Sequence, residues 1–259
     1  MRTIAIFNLK GGVAKTVTAA TMAYCLADDH KRSVLCIDAD GQGNLSQYFG
    51  VEAVEGASTL DLIQGNTEHY YGDWIPTAKP NIDVIAADMR LSFADVDAIK
   101  DGRCDLTAME SLRQAMAEDQ AYDFVLIDCP PAFSAASSAA LAAADEVIIP
   151  VRLDAFSTAG MAELTEQVRN MRRINSRLQV AGILVTQYQH TAEEQTAHAY
   201  LKAQSGLPVF RTRIRMSKRV APATYARESL LTFSPHCGAA KDYRRFVDEY
   251  LERGGCDNG

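Results

Sequence analysis

The sequence has 259 residues, 47% of them hydrophobic and 23% charged, a composition that is ordinary for a soluble globular protein. No run approaches the roughly 18 apolar residues that a membrane span needs, and Met1 and Arg2 lead into strand-like sequence without a signal peptide. The six cysteines contain no C-x-x-C pair and the five histidines have no ligand spacing, so we expect neither a disulfide framework nor a zinc site. The sequence therefore predicts a cytoplasmic protein without a membrane partner.

Six runs of near-continuous apolar, often β-branched residues predict strands that are covered on both faces, as in a parallel sheet. These strands are predicted at residues 3–8, 33–38, 82–86, 124–128, 146–151 and 180–186. Helical periodicity is found between and after them, at residues 15–27, 106–117, 135–143, 158–174, 192–203 and 239–251. The least regular stretch, 52–105, is expected to form an elaboration beside the core.

The alternation of strands and helices predicts the fold class. At this spacing it implies right-handed crossovers and a doubly wound, mostly parallel α/β sheet with helices on both faces. No linker rich in Pro, Gly or Ser divides the chain, so we expect one domain over residues 1–259. Ligands of such folds bind outside the carboxyl ends of the strands, and functional residues are therefore expected there.

The segment LKGGVAKT, residues 9–16, links the first predicted strand to the first predicted helix. The common phosphate-loop pattern G-x-x-x-x-G-K-[ST] would place glycine where this sequence has Leu9 and Ala14. The order of strand, loop and helix is nevertheless the one that a phosphate cradle requires. The context therefore predicts a nucleotide site despite the two missing glycines.

Several residues of this loop are suited to a nucleoside triphosphate. Gly11 and Gly12 let backbone amides approach phosphate oxygens. Lys15 supplies a positive charge for the β and γ phosphates, and the Thr16 hydroxyl is suited to ligate Mg²⁺. A second lysine, Lys10, compensates for the missing glycines.

Three blocks together resemble one protein family. KGGVAKT, from Lys10, resembles the deviant Walker A motif KGGxxK[ST] of the ParA/MinD branch of P-loop ATPases, where most relatives have glycine at the position of Ala14. VLCIDADGQGN, from Val34, resembles the family's second acidic motif, with Gly41 in place of the usual proline. YDFVLIDCPP, from Tyr122, resembles its Walker B segment. The resemblance covers nearly the whole chain and is to the ParA/Soj-type partitioning ATPases.

The resemblance implies an ATPase that uses ATP and Mg²⁺. The nucleotide-binding residues that it implies are Lys10, Gly11, Gly12, Val13, Ala14, Lys15, Thr16 and Val17. It implies that Asp40 positions or activates the attacking water, and that Lys10, Lys15 and Asp40 are the catalytic residues. The residues that it implies for Mg²⁺ binding are Thr16, Asp38 and Asp128. Taken alone, Asp38 and Asp40 also fit the polar end of a strand, and the neighbouring phosphate loop favours a role in the site.

Lys10 has two interpretations. Most lysines are simply solvated, and Lys10 lies in a loop. In the family, however, this lysine crosses a dimer interface to the γ-phosphate of the partner's nucleotide, in the manner of an arginine finger but as a point charge. The resemblance therefore implies a homodimer in the ATP state.

Residues 202–227 form a local basic segment in an acidic chain, with seven Lys and Arg and no Asp or Glu. Arg211, Arg213 and Arg215 recur with period two, which places them on one face if this segment is extended. The segment fits an exposed sheet edge about as well as a DNA-binding surface that also includes Lys218 and Arg219. The resemblance favours DNA, because short ParA relatives bind DNA without sequence preference through this region.

The resemblance as a whole implies a nucleoid-associated ATPase of plasmid or chromosome partition. Its hydrolysis would be stimulated by a ParB-like centromere-binding protein or an adaptor. No helix-turn-helix precedes Met1 and no basic amphipathic tail follows the last helix, so neither operator binding nor membrane binding is expected. Two alternatives stay open: a MinD-like membrane-cycling ATPase, and a non-hydrolysing, nucleotide-gated DNA-binding or scaffold protein.

Overall fold

A seven-stranded parallel sheet forms the centre of the protein in the computed structural model, which describes residues 1–65, 79–101, 105–153 and 158–255. The strands are β1 (Arg2–Ile6), β2 (Val34–Asp38), β3 (Ile82–Ile85), β4 (Phe124–Asp128), β5 (Glu146–Val151), β6 (Gln179–Tyr188) and β7 (Val209–Arg215). Their order is β3-β2-β4-β1-β5-β6-β7, and each neighbouring pair is parallel. The predicted fold class is confirmed.

All six predicted strands are present, with ends that move by two residues or fewer. The buried runs were predictable because β1, β2, β4 and β5 lie inside the sheet, where helices cover both faces. The additional strand, β7, lies on the arginine-rich segment at one edge of the sheet. The arginine-rich segment is therefore extended, which is the condition under which its three arginines were expected to lie on one face.

Helices lie on both faces of this sheet. They are α1 (Lys15–Tyr24), α2 (Asn44–Phe49), α3 (Thr59–Ile63), α4 (Ala94–Asp101), α5 (Ala108–Glu118), α6 (Ala135–Ala143), α7 (Thr158–Ile174), α8 (Ala192–Gln204), α9 (Val220–Tyr225), α10 (Leu230–Phe233) and α11 (Gly238–Gly255). The helix predicted at 15–27 changes at Cys25 into a π-helical turn that extends to Asp29. The helix predicted at 106–117 begins at Ala108, because the Asp105 carboxylate accepts hydrogen bonds from Thr107 and holds the preceding residues in a turn.

The irregular stretch 52–105 is more than an elaboration beside the core, because it contributes the edge strand β3 to the sheet. It also contributes α3, α4 and a 3₁₀ turn, Met89–Phe93, that leads into α4. Residues 66–78 and 102–104 of this stretch lie outside the described residues.

The sheet divides the core into two hydrophobic clusters, and successive residues of β1 and of the position after it belong to one cluster and the other in turn. Ala5 and Phe7 belong to the cluster that includes residues of α5, α6 and α7. Ile4 and Ile6 belong to the cluster that includes residues of α1, α2 and α11. Successive side chains of a strand point to opposite faces, so a strand covered on both sides must be apolar throughout.

The register of the central strands brings acidic residues to the point where the phosphate loop begins. Ile6, the last residue of β1, pairs with Asp128 at the end of β4, and Asp128 pairs in turn with Asp38 at the end of β2. The segment 9–16 leaves the same edge of the sheet and enters α1. The fold therefore places the three sequence blocks side by side at the carboxyl ends of the strands, where such folds bind ligands.

Candidate nucleotide-binding site

The loop between β1 and α1 has two left-handed residues. Gly12 has φ 72°, and Ala14, which precedes the first turn of α1, has φ 66° and ψ 34°. Glycine adopts this conformation freely, whereas a left-handed alanine brings its Cβ too close to the next carbonyl oxygen. The glycine that is missing at position 14 therefore corresponds to a real strain, and the loop is nevertheless formed.

Replacing Ala14 with glycine is expected to stabilise the fold. The substitution removes a left-handed strain of about 1–2 kcal/mol, while the more flexible unfolded chain offsets about 0.4–1 kcal/mol of the gain. The net increase in the free energy of unfolding is about 0.5–1 kcal/mol, measured by urea unfolding as a higher midpoint at unchanged slope.

Ala115→Gly is the matched control, because Ala115 lies inside the right-handed helix α5. It is expected to lower stability by about 1 kcal/mol. If Ala14→Gly were as destabilising as Ala115→Gly, position 14 would not carry the strain described above.

Lys15 is buried at the start of α1, with only 8% of its surface exposed. Its Nζ donates to the carbonyl oxygens of Asn8 at 3.0 Å and of Lys10 at 3.2 Å. Burial lowers the pKa of this amine, and the carboxylate of Asp128 is the largest of the charges that oppose this shift. The hydrogen bonds to two neutral carbonyl oxygens hold the amine in place beside the loop, as suits a phosphate-binding lysine.

Asp128 is the least satisfied polar group of the site. It is 1% exposed, and neither of its carboxylate oxygens has a hydrogen-bond partner among the described residues. Burial raises the pKa of this carboxyl well above its usual range and nearby Asp38 raises it further, while the Thr16 hydroxyl and Lys15 lower it. An unpartnered buried carboxylate is costly, and a bound cation or its water shell would supply the missing partners.

Asp38 is also buried but is well bonded. One carboxylate oxygen accepts from the backbone N–H of Ser46 at 2.8 Å and from its hydroxyl at 2.7 Å, and the other accepts from the N–H of Asp40 at 3.2 Å. Burial raises the pKa of Asp38 to about 6, and the hydrogen bonds from Ser46 limit the rise. Asp38 therefore holds the loop that carries Asp40, and its predicted role on the metal side stays a prediction.

Asp40 lies in the loop after β2, half-buried, and lines the same cleft as the phosphate loop. One carboxylate oxygen accepts from the N–H of Gln42 at 3.0 Å. The loop packs closely on the 3₁₀ turn, since a Cβ at Gly41 would clash with the Ser92 hydroxyl oxygen and lie 2.9 Å from its backbone nitrogen. This packing gives a physical reason for glycine at position 41, where the family usually has proline.

A cleft of about 590 Å³ runs from the phosphate loop to the end of β7. Of the predicted nucleotide-binding residues, Gly11, Gly12, Ala14, Lys15, Thr16 and Val17 line it. Val13 is buried beneath the loop, and Lys10 is exposed with its backbone N–H bonded to the Asn8 side chain at 2.9 Å.

The far wall of the cleft contains residues that the sequence analysis did not identify. It is formed mainly by apolar side chains of β7, α9 and α11, among them Ile214, Met216, Val220 and Tyr243. Such a wall is suited to the flat face of a nucleobase. These residues have no motif of their own and reach the site only through the order of the strands.

The predicted DNA-binding arginines lie at the sheet edge beyond this cleft. Arg211, Arg213 and Arg215 surround one depression of about 390 Å³, to which Arg245 of α11 also contributes. Arg215 forms a bidentate ion pair with Asp242, at 2.7 and 2.8 Å. The depression is therefore basic, but not all of its arginines are equally available to a ligand.

The other predicted basic residues have different surroundings. Arg211 lies 3.6 Å from Glu249, whose carboxylate also accepts from two backbone N–H groups of β7 and so covers the strand edge. Arg213 stacks over the Tyr188 ring at 4.5 Å. Lys218 and Arg219 are exposed in the turn after β7. This surface is thus compatible with both interpretations of the basic segment, an exposed sheet edge and a DNA-binding surface. The DNA contacts stay a prediction.

Comparison with known proteins decides the family. A family profile described as "AAA domain" matches residues 1–180. The chain is 32% identical over 257 residues to the chromosome partitioning protein ParA of Caulobacter vibrioides, covering 98% of this chain and 95% of the relative. It is 35% identical over 258 residues to the chromosome-partitioning ATPase Soj of Thermus thermophilus, covering 98% and 96%.

The chain belongs to the ParA/Soj family of partitioning ATPases. A structural comparison agrees on the fold: the cobyrinic acid a,c-diamide synthase of Mycobacterium smegmatis with bound ADP and magnesium has a TM-score of 0.80 at 25% identity, covering 99% of this chain and 96% of the other. The resemblance to the ParA/Soj family that the three motif blocks predicted is confirmed.

The family profile matches only the first part of this ParA/Soj-family chain, whereas the matches to ParA and Soj cover nearly all of it. The AAA-domain match ends at residue 180 and contains the phosphate loop, Asp40 and Asp128. The apolar wall of the cleft and the basic depression lie beyond it, in a part that the nearly full-length matches to ParA and Soj also cover. Within the described ranges, no helix has the length and hydrophobicity to cross a membrane.

Proposed function

We propose that this chain is an ATP-hydrolysing partition ATPase that dimerises on ATP and binds DNA without sequence preference. It acts as one ATPase domain in plasmid or chromosome segregation, at the nucleoid, and a ParB-like protein or an adaptor stimulates its hydrolysis. The observation that carries the proposal is the buried phosphate-loop lysine Lys15, which lines one cleft with Asp40 and feels the charge of the buried Asp128, whose carboxylate oxygens have no hydrogen-bond partner among the described residues.

ATP and Mg²⁺ fit the groups in this cleft. Across the described residues, no cluster of three or more His, Cys, Asp or Glu could hold a metal alone, so phosphate oxygens and water would supply most ligands, as Mg²⁺ prefers. Thr16 and Asp128 are the residues that would hold it, and the ion would neutralise charge on the β and γ phosphates. ADP and magnesium in the related M. smegmatis structure support this assignment.

The chain's own residues would bind the phosphates and orient the attacking water. Lys15 would bind the β and γ phosphates, Asp40 would orient the attacking water, and Asp38 would hold the Asp40 loop through its hydrogen bond to the Asp40 N–H. Phosphoryl transfer requires little covalent chemistry from a protein, so positioning and charge neutralisation supply most of the acceleration.

Lys10 would complete the site of a second subunit. Its exposed position at the rim of the loop suits a role in trans, toward the γ-phosphate bound by the partner of a homodimer. Nucleotide state and dimerisation would then be coupled, because only ATP offers that phosphate.

Phosphate release tests the proposed function. The purified protein is expected to release phosphate from ATP slowly, and faster with duplex DNA and a ParB-like protein. Absence of phosphate release under both conditions, with ATP still bound, would identify the non-hydrolysing alternative. Sedimentation with anionic liposomes in ATP would identify the MinD-like alternative.

Removing exposed basic residues is expected to weaken DNA binding equally for unrelated sequences. Lys218 and Arg245 are exposed, and neither is needed for an ion pair described above. Each phosphate contact contributes about −0.9 to the slope of log K against log salt, so the Lys218→Ala/Arg245→Ala protein should lose up to about two units of slope. Fluorescence anisotropy at several salt concentrations measures this slope.

The matched control is Arg172→Ala/Arg173→Ala on α7, which removes the same charge. The cluster that α7 packs into lies on the face of the sheet opposite α11. An equal loss of slope in both double variants would show a general charge effect and remove the basic depression from the proposed DNA surface.

A further inference from the structure

Two side chains at the end of β6 contact the backbone of the phosphate loop from outside the motif. The side-chain amide of Gln187 donates to the carbonyl oxygen of Gly12 at 2.6 Å. The Thr186 hydroxyl lies 3.0 Å from the carbonyl oxygen of Val13 and 3.1 Å from that of Val151. These two positions are 173 and 175 residues away from the loop residues that they contact.

The contacts set the direction of the loop amides. A trans peptide plane points its C=O and the following N–H in opposite directions, and no cis peptide occurs in the described residues. With the Gly12 carbonyl held by Gln187, the N–H of Val13 must point away from that side chain. In the same way, the Val13 carbonyl bonded to Thr186 directs the N–H of Ala14 away from β6.

Of the two side chains, Gln187 is the one whose described hydrogen bond goes to the loop alone. Thr186 has a single hydroxyl proton that two carbonyl oxygens share, whereas the amide group of Gln187 has two protons. Gln187 also has φ 54°, a left-handed backbone that is uncommon for a residue other than glycine or asparagine. Conformations of this kind persist only where the surroundings impose them, and they cluster at functional sites.

The strained residue near this hydrogen bond is Ala14, at φ 66°, which lies two residues after Gly12 and directly after Val13, the residue that Thr186 contacts. An alanine has a preference to leave the left-handed region, and leaving it would reorient the amides of the loop. Glycine at this position would need no restraint. The restraint from β6 therefore acts on the two residues directly before a left-handed alanine.

We propose that Gln187 is a positioning residue that holds the phosphate loop in its anion-binding conformation and makes the alanine at position 14 functional. The inference rests on the proposed nucleotide binding and adds to it a restraint from outside the loop. Gln187 acts through the Gly12 carbonyl, with Thr186 as a secondary contact.

A double-mutant cycle tests this role, with Gln187→Met, Ala14→Gly and the protein carrying both. Methionine keeps the length of the side chain and removes the donor. The dissociation constant of a fluorescent ATP analogue with Mg²⁺ is measured for each protein, together with the melting temperature without nucleotide. Gln187→Met is expected to weaken binding about 3- to 10-fold in the wild-type background, and by less than about twofold in the Ala14→Gly background.

Other outcomes separate the alternatives. An equal loss in both backgrounds would mean that Gln187 contacts the nucleotide directly, and no loss in either would mean that the hydrogen bond has no role; each result overturns the inference while the proposed function stands. A wild-type protein that does not bind the analogue would overturn the proposed function and this inference together. Gln189→Met, in the exposed segment two residues along, is the control and is expected to bind as the wild type does.

A second variant covers the case in which methionine lowers the melting temperature. Asparagine tolerates the left-handed backbone better than glutamine and is one methylene shorter, so Gln187→Asn relaxes the backbone while placing the amide out of reach of Gly12. It is expected to weaken analogue binding as Gln187→Met does, with an unchanged or higher melting temperature. Wild-type affinity in this variant would overturn the inference.

Discussion

Replacing Lys15 with alanine is expected to abolish ATP binding, with the dissociation constant raised about 100-fold or more. The amine is buried and its nearest partners are two carbonyl oxygens, so no other described group occupies its place opposite the phosphates. Truncating one partner of a buried charge pair costs about 3–5 kcal/mol, which corresponds to a factor between about 100 and several thousand. Equilibrium titration with a fluorescent ATP analogue measures the change.

The control for this prediction is Lys202→Ala, which removes the same charge from the exposed face of α8. It is expected to leave the affinity unchanged within about twofold. If Lys15→Ala bound the analogue as tightly as Lys202→Ala, the loop between β1 and α1 would not be a phosphate cradle.

Replacing Asp40 with alanine is expected to reduce turnover by about 100-fold or more while ATP affinity stays within about threefold. Asp40 reaches the cleft but is separate from the loop that holds the phosphates, so its removal affects the water rather than the nucleotide. Phosphate release measures turnover, and size-exclusion chromatography with ATP is expected to show an accumulated dimer.

Two further variants give this prediction its controls. Asp40→Asn keeps an acceptor for the Gln42 N–H but lacks the negative charge, and it should lose turnover as the alanine variant does. Glu118→Ala, at the exposed end of α5, removes one negative charge elsewhere and should hydrolyse ATP normally. Wild-type turnover in Asp40→Ala would remove Asp40 from the catalytic residues.

The sequence predicted the parts of this structure that depend on neighbours along the chain. The buried strands are apolar throughout because helices cover both faces of the sheet, so their positions follow from composition. The phosphate loop is contiguous, and Asp38 and Asp128 end parallel strands, so both were expected at the same edge of the sheet. Their direct pairing depends on the strand order, which places β2 beside β4.

The remaining features depend on pairings between distant segments. Gln187 and Gly12 come into contact only because β6 lies two places from β1 in the sheet. The ion pair between Arg215 and Asp242 joins an edge strand to the last helix, and no spacing rule indicates which arginine finds a carboxylate. The sequence pattern therefore identified the basic segment but not which of its residues are already paired.

Measuring DNA affinity in the two nucleotide states shows whether DNA binding depends on ATP. Binding of a duplex of arbitrary sequence is measured against salt, with ATP and with ADP, for the wild type and for Lys10→Ala. We expect tight, salt-sensitive binding by the wild type with ATP only, and loss of both the dimer and DNA binding in Lys10→Ala, although its monomer still binds nucleotide through Lys15. Equal affinity of the wild type with ATP and ADP would contradict nucleotide-gated DNA binding.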